Sequence, residues 1–365
     1  MSSLFDHSSI HVYYFPMQVQ QQNAIDTDSA RSLYRDNVAR HIIGVARDCQ
    51  AGIMHSLADR FGHRRLRLGF EPYISLLATE GRRLSELATT LGVSRQAVNQ
   101  VVGQIESAGY VRRIPDPLDG RAKRVCLTTA GQGLLDDGVR LAREREETYA
   151  ALAGRRAVDA LRADCHALTG RLSIPLYGAP EVDNTPLLAS TLPRLASYVS
   201  ERLMNLTRAR GHPDLKLSFG QVLTLIGPGG GHINQMARVH DISKQAISAI
   251  ALELEHLGYL CRSPDPGDAR QLVLDFTRQG EGLIADSVAS VAELAGEMRR
   301  AVGPRAWARF SGSLAALYRH LQLEKEIFEP GEQASLQALA SRLQRELGLR
   351  EARTLGRLLV AAEPV

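Results

Sequence analysis

Residues 94–121 read SRQAVNQVVGQIESAGYVRRIPDPLDGR, and residues 243–270 read SKQAISAIALELEHLGYLCRSPDPGDAR. One shift of 149 positions aligns the two stretches without a gap, and the same shift also pairs Gly62-His63 with Gly211-His212, Phe70 with Phe219, Ala88 with Ala237, Gly154 with Gly303 and Leu172 with Leu321. A register held this long marks an internal repeat, which constrains a fold more than any local propensity does. The chain is therefore expected to hold one unit over residues 35–172 and a second over 184–321. Between them, residues 173–183, SIPLYGAPEVD, carry two prolines and a glycine and read as a linker that makes a poor helix or strand. Eleven extended residues reach at most about 35 to 40 Å, so the units must be neighbours.

Outside the repeat lie an N-terminal extension, 1–34, and a C-terminal extension, 322–365. Residues 1–30, with QVQQQ and scattered Ser and Asp, read as unstructured, although HVYYFP is apolar enough to dock. In the C-terminal extension Leu336, Leu339, Leu343 and Leu347 follow helical spacing, which predicts one or two amphipathic helices.

Within the first unit, Val38, Ile42, Val45, Ile53, Leu57 and Phe61 predict a long helix over 35–61, followed by a second over 70–79. A third helix, Leu84 to Leu91, is closed by Gly92, and Ser94 is placed to cap a fourth with its hydroxyl. Two helices joined by a short turn containing glycine make a helix-turn-helix. On the fourth helix Val98, Val101, Val102 and Ile105 form the buried stripe, which turns Arg95, Gln96, Asn99 and Gly103 outward. Arginine pairs with guanine edges, and Gln or Asn with adenine, so this face has the chemistry of a helix that reads a major groove. Next come a strand, YVRRI, a turn-rich loop, PDPLDGR, and a returning strand, AKRVCLT. That hairpin is a basic wing, with Arg121 near its tip for a minor groove or phosphate and Arg112, Arg113, Lys123 and Arg124 along it. Residues 129–172 read as further helix, broken around Ala153-Gly154.

This stretch resembles the winged helix-turn-helix of the MarR family of bacterial transcription regulators. The features that carry the resemblance are the Gly-apolar-apolar-Arg step at Gly109 to Arg112, the Asp119-Gly120-Arg121 wing and the closing Leu127-Thr128-Thr129-Ala130-Gly131. The second copy keeps Asp268-Ala269-Arg270 but has Cys261 for Arg112 and Phe276 for Leu127. The resemblance implies a mainly α fold with small β-hairpin wings and a helical dimerisation bundle. In this chain it implies a tandem winged helix-turn-helix pseudo-dimer that supplies both reading heads itself. Its partner would be double-stranded DNA, with the heads one turn, about 34 Å, apart on an imperfect palindrome. The expected contact set is Ser94, Arg95, Gln96, Asn99, Gln100, Arg112, Arg113, Arg121, Lys123 and Arg124 in the first unit, and Ser243, Lys244, Gln245, Ser248, Arg262 and Arg270 in the second. With Ala249 and Leu252 on its reading helix, the second head predicts a weaker or differently specified half-site, through thymine methyls or through backbone contact alone. The family further implies repression, a small aromatic or phenolic ligand between bundle and reading lobes, and, in some members, oxidative control through a cysteine. The C-terminal extension is a candidate for self-association. The rival reading is a winged-helix scaffold for a protein or ligand with little sequence-specific DNA binding.

Composition is ordinary for globular domains, at 44% hydrophobic and 23% charged residues. The net charge of +4 means that attraction for a polyanion depends on where charge sits. Cys49, Cys126, Cys165 and Cys261 are far apart and read as reduced thiols of an intracellular protein. No cofactor or metal is expected, and no nucleophile with its base can be assembled from spacing. GPGGGH, residues 227–232, lacks the Gly-Lys-Ser/Thr ending of a phosphate loop and reads as a flexible loop. His41, His55 and His63 read as surface or partner-helix residues. With no signal-like start and no apolar run of membrane-spanning length, no membrane contact and a cytoplasmic location are expected.

Overall fold

The computed structural model describes residues 27–178, 181–227, 230–240, 242–265 and 272–324, with residue 354 alone beyond them. Helix α1 (Thr27–Arg35) leads to Asn37, whose side chain accepts the Arg40 N–H at 3.0 Å and so caps α2 (Val38–Asp59). A 3-10 turn (Leu68–Phe70) enters the short α3 (Glu71–Leu76), which is followed by β1 (Arg82–Arg83), α4 (Leu84–Leu91), α5 (Arg95–Ser107), β2 (Val111–Asp116) and β3 (Asp119–Leu127). Strands pair antiparallel in the order β1-β3-β2. Helices α6 (Thr129–Ala153) and α7 (Arg155–Arg171) follow, parted by Gly154 at φ 90°.

After a two-stranded hairpin, β4 (Glu181–Val182) and β5 (Thr185–Pro186), the order recurs: α8 (Leu188–Ala209), a 3-10 turn (Leu217–Phe219), α9 (Gly220–Leu223), α10 (Ile233–His240), α11 (Lys244–His256), β6 (Leu260–Pro264), β7 (Leu272–Phe276), α12 (Arg278–Val302) and α13 (Pro304–His320).

Among the described residues three apolar cores organise these elements. One is shared by both halves: Ile42, Val45 and Cys49 of α2, Tyr149 of α6, Leu161 and Leu168 of α7, Leu192 and Val199 of α8, Leu294 and Met298 of α12, and Phe310 and Leu314 of α13. The others belong to the lobes, around Phe70, Leu87, Val98 and Ile105 in the first and Phe219, Met236, Ile247 and Leu254 in the second. Each lobe is therefore a self-contained helix-turn-helix with a wing, attached to a common bundle.

Polar contacts also cross between the halves. No side chain of α8 caps its own N-terminus, and the Leu188 N–H instead donates to Glu146 of α6 at 2.6 Å. Arg309 of α13 pairs with the buried Asp164 of α7, with Nε at 2.9 Å, and Arg194 of α8 pairs with Glu71 at 2.7 Å.

Several sequence expectations need correction. Residues 27–30 are helical: α1 packs on α12, and Arg31 pairs with Glu281 of that helix and with Asp275 of β7. The expected long helix starts at its Asn37 cap, not at residue 35, and the second helix is shorter than 70–79. The linker holds strand β4, and its Tyr177 donates to the Thr90 carbonyl at 3.2 Å and stacks under Arg194. The wing loop shrinks to Pro117-Leu118, because β2 and β3 run on into it. GPGGGH is not simply a loop: Gly231 bridges to Leu274 where β1 pairs with β3 in the first lobe. A Cβ at Gly231 would stand 2.3 Å from the end of the flexible Met236 side chain and 3.1 Å from Ile226 Cγ1, so those neighbours would have to shift to admit one. The histidines do stand as surface or partner-helix residues: His41 is buried against Tyr318 of α13, His63 hydrogen-bonds to Asp137 of α6 at 3.0 Å, and His55 is exposed. HVYYFP and the leucine-spaced C-terminal helices lie outside the described residues. Among the described residues no helix is long and apolar enough to cross a membrane.

Candidate nucleic-acid interface

Helix α5 begins where the Ser94 hydroxyl accepts the Ala97 N–H at 3.1 Å, satisfying one of the free donors of the first turn. Val98, Val102 and Ile105 are fully buried in the first lobe, with Val101 packed beside them. Helical periodicity then exposes Arg95, Gln96, Asn99 and Gln100 on the opposite side. A Cβ built on Gly103 meets nothing within 4 Å, so the same face stays open further along.

Charge pairs brace the wing, and the pair between Arg113 and Glu106 reaches this helix. Arg83, in β1, donates to Asp116 at 2.6 Å, and Asp116 also accepts the Leu118 N–H at 2.9 Å, which shapes the tip. Asp119 accepts the Arg121 N–H at 3.1 Å, so the aspartate of the Asp-Gly-Arg motif orders the turn. The hydrogen bond from Arg83, followed by that from the Leu118 N–H, holds the Asp116 carboxyl below the usual carboxylate range. At the base, a Cβ on Gly131 would lie 2.0 Å from the Tyr110 carbonyl oxygen, and one on Gly280 would lie 2.2 Å from that of Tyr259. Only glycine lets the helix after each wing start so close, which explains the end of the Leu-Thr-x-x-Gly motif.

The wing cations divide into two groups. Arg112, Arg121 and Lys123 are exposed. Arg113 is half-buried, with its guanidinium 3.2 Å from Glu106 of α5, and the half-buried Arg124 lies 3.9 Å from Glu80. These two residues brace the wing, whereas the sequence alone ranked them with the outward contacts. Sequence reasoning missed Arg83; its equivalence with His232 under the 149-residue shift was a signal available to find it.

In the second lobe Ser243 caps α11 through the Ala246 N–H at 3.2 Å. Lys244, Gln245, Ala249 and Leu252 are exposed and Ser248 is half-buried. Arg262 pairs with Glu255 at 2.9 Å, repeating the Arg113 brace, while His232 stands 3.5 Å from Asp265 where Arg83 meets Asp116. Arg270 lies outside the described residues.

A cavity of about 170 Å³ lies between the first lobe and the bundle, lined by Ile53, Phe70, Ile74, Leu134 and Pro193 and bordered by Arg194 and Glu71. Its counterpart at the second lobe measures about 400 Å³ and is lined by Tyr34, Arg40, Phe219, Leu223, Val291 and Tyr318. The thiols differ by position. Burial pushes Cys49 up to about 12 and raises Cys165 further, while Cys126 is half-buried and Cys261 exposed.

Helix, turn, reading helix and wing thus stand together in the order the motif requires. Residues 73–122 match the model of the MarR family. Among solved structures, the chain is similar to transcriptional regulator Tm0710 from Thermotoga maritima, at 20% identity over 35% of this chain and 92% of that one, with a TM-score of 0.28. It is also similar to CouR from Rhodococcus jostii RHA1, solved bound to p-coumaroyl-CoA, at 22% identity over 36% of this chain and 93% of that one, with a TM-score of 0.28. No curated protein matches. The MarR match covers the helix-turn-helix and most of the wing of the first lobe, and thereby points to a transcription regulator.

Proposed function

We propose that the chain is a sequence-specific transcription regulator of the cytoplasm that binds double-stranded DNA as an intramolecular pseudo-dimer. The units are residues 35–172 and 184–321, joined through 173–183. The observation that carries this reading is the shared bundle core, to which α2, α6 and α7 of one half and α8, α12 and α13 of the other contribute, with one winged lobe attached on each side. Such an arrangement gives each lobe a fixed partner at high effective concentration, so assembly does not depend on dilution. In the first lobe Arg95, Gln96, Asn99 and Gln100 read base edges, and Arg112, Arg121 and Lys123 engage phosphate or minor groove. In the second, Lys244, Gln245 and Ser248 face the duplex, and Arg270 is the sequence equivalent of Arg121. The site is an imperfect palindrome, because the two heads differ.

Repression by occupancy follows if the site overlaps a promoter, and the two lobe–bundle cavities are where a small aromatic or phenolic ligand would act. Such a ligand shifts the spacing of the heads only if it binds one arrangement better than the other. The test is selection of bound sequences from a random duplex pool by the full chain at moderate salt, followed by affinity measured against salt. A sequence reader recovers one bipartite site and loses affinity steeply with salt while still preferring that site. Recovery of no preferred sequence would overturn the proposal in favour of a scaffold.

A further inference from the structure

Helix α11 turns a large apolar side chain to solvent where α5 has only hydrogen. Leu252 is 59% exposed and stands at the repeat position of Gly103, a position that points into open space. Gln245, Ser248, Ala249 and Leu252 follow the i, i+3, i+4, i+7 spacing of one helical stripe, and Ile247, Ala251 and Leu254 hold the opposite stripe in the lobe core. A single exposed leucine is unremarkable on a protein surface. Here, though, it accompanies other changes in the same direction on the same lobe. Asn99 and Gln100 become Ser248 and Ala249, Arg112 becomes Cys261, and Lys123 becomes Leu272, itself 52% exposed. Hydrogen-bonding reach and cation density both fall, and apolar area rises.

Among the groups that base pairs present in the major groove, the C5-methyl of thymine is the apolar one. Short side chains at Ser248 and Ala249 let the helix approach closely, which brings Leu252 within reach of such a methyl. Resting on the DNA-reading function above, we infer that the second lobe specifies its half-site through Leu252 against thymine methyl groups. Leu252 is then a specificity-determining residue, and the second half-site is thymine-rich where the first is read by hydrogen bonds.

The probe is the duplex recovered from the random pool, compared with versions in which every thymine of one half-site is replaced by deoxyuridine. That exchange removes the methyl and leaves the pairing and hydrogen-bonding edges unchanged. Burial of one methyl is worth about 0.8 kcal/mol, so each contacted thymine converted in the second half-site should weaken the full chain about fourfold. Conversion in the other half-site, identified as the one where Asn99→Ala changes base preference, should have a much smaller effect. Leu252→Ala should bind the thymine duplex more weakly and no longer distinguish it from the deoxyuridine version, with an unchanged unfolding midpoint because the side chain is exposed. Selective binding with equal deoxyuridine sensitivity in the parent and Leu252→Ala overturns this inference and leaves the DNA-reading function intact. Absence of any preferred duplex removes both.

Discussion

The two halves repeat one architecture with different chemistry, and the difference lies in where each places its polar groups. Half one buries charge in the bundle: Glu146 is 3% exposed, accepts from Arg162 at 3.0 Å and also takes the Leu188 N–H. Nearby, Tyr149 donates to Asp48 at 2.7 Å, and burial is the main cause that raises the Tyr149 hydroxyl well above its usual range. At the repeat positions of Arg145, Glu146 and Tyr149, half two has Leu294, Ala295 and Met298. On the outward faces the contrast is one of degree: Asn99, Gln100 and Gly103 of α5 correspond to Ser248, Ala249 and Leu252 of α11, while Lys244 and Gln245 stay exposed and polar. Two halves with the same order of elements can therefore both pack while one of them carries the groups that need exact partners. Buried charges fix a single arrangement because any other leaves them unpaired, whereas apolar contacts tolerate sliding.

The largest effect should come from breaking the buried pair. Glu146→Leu leaves the Leu188 N–H without its acceptor and Arg162 with only Asp159, at 3.3 Å, and a loss of about 3 kcal/mol is expected in denaturant unfolding. Glu146→Leu with Arg162→Leu should recover much of that. If the single change costs less than about 1 kcal/mol, the contrast between the halves of the bundle is broken.

Next is the contrast of reading helices. Asn99→Ala should cost about 1–3 kcal/mol of base discrimination at one half-site, measured by competition among duplexes, while Ser248→Ala costs clearly less. Equal losses would mean that both heads read alike. Arg121→Ala should weaken all duplexes alike and lower the salt slope by about one, a smaller change in preference than that of Asn99→Ala.

The finest comparison concerns the wing anchors, Arg83 with Asp116 against His232 with Asp265. The Asp116 carboxyl lies below its usual value, chiefly through the Arg83 hydrogen bond. Its contribution to stability is therefore present above the unfolded carboxylate value of about 3.9 and is lost as pH falls through the depressed folded value. Hydrogen exchange of β3 should rise in that acid range, and Arg83→Ala should bring the rise to higher pH. A β3 profile unaltered by Arg83→Ala would show that the anchor contributes nothing to the wing.

Local rules made much of the first lobe readable. The spacing of Leu84 to Leu91 with Gly92, the Ser94 cap and the break at Gly154 each depend on residues within a turn or two, and the structure places α4, α5, α6 and α7 accordingly. The outward face of α5 was legible for the same reason, since burial of Val98, Val102 and Ile105 dictates what remains outside. The division of wing arginines was harder. Arg113 and Arg124 resemble Arg112 and Lys123 in composition, and only the placement of Glu106 and Glu80 separates a brace from an exposed cation.

By itself, then, the sequence determined the order of helices and wings and the side chains offered on the outward faces of α5 and α11, because these follow from periodicity and from hydrogen bonds between near neighbours. Tertiary structure decided that α1 lies on the other half, that Glu146 ends up at the start of α8, and that α2, α6, α7, α8, α12 and α13 close one core. Such contacts join residues far apart along the chain. Their free energy depends on burial and on partners that meet only once the whole bundle has formed.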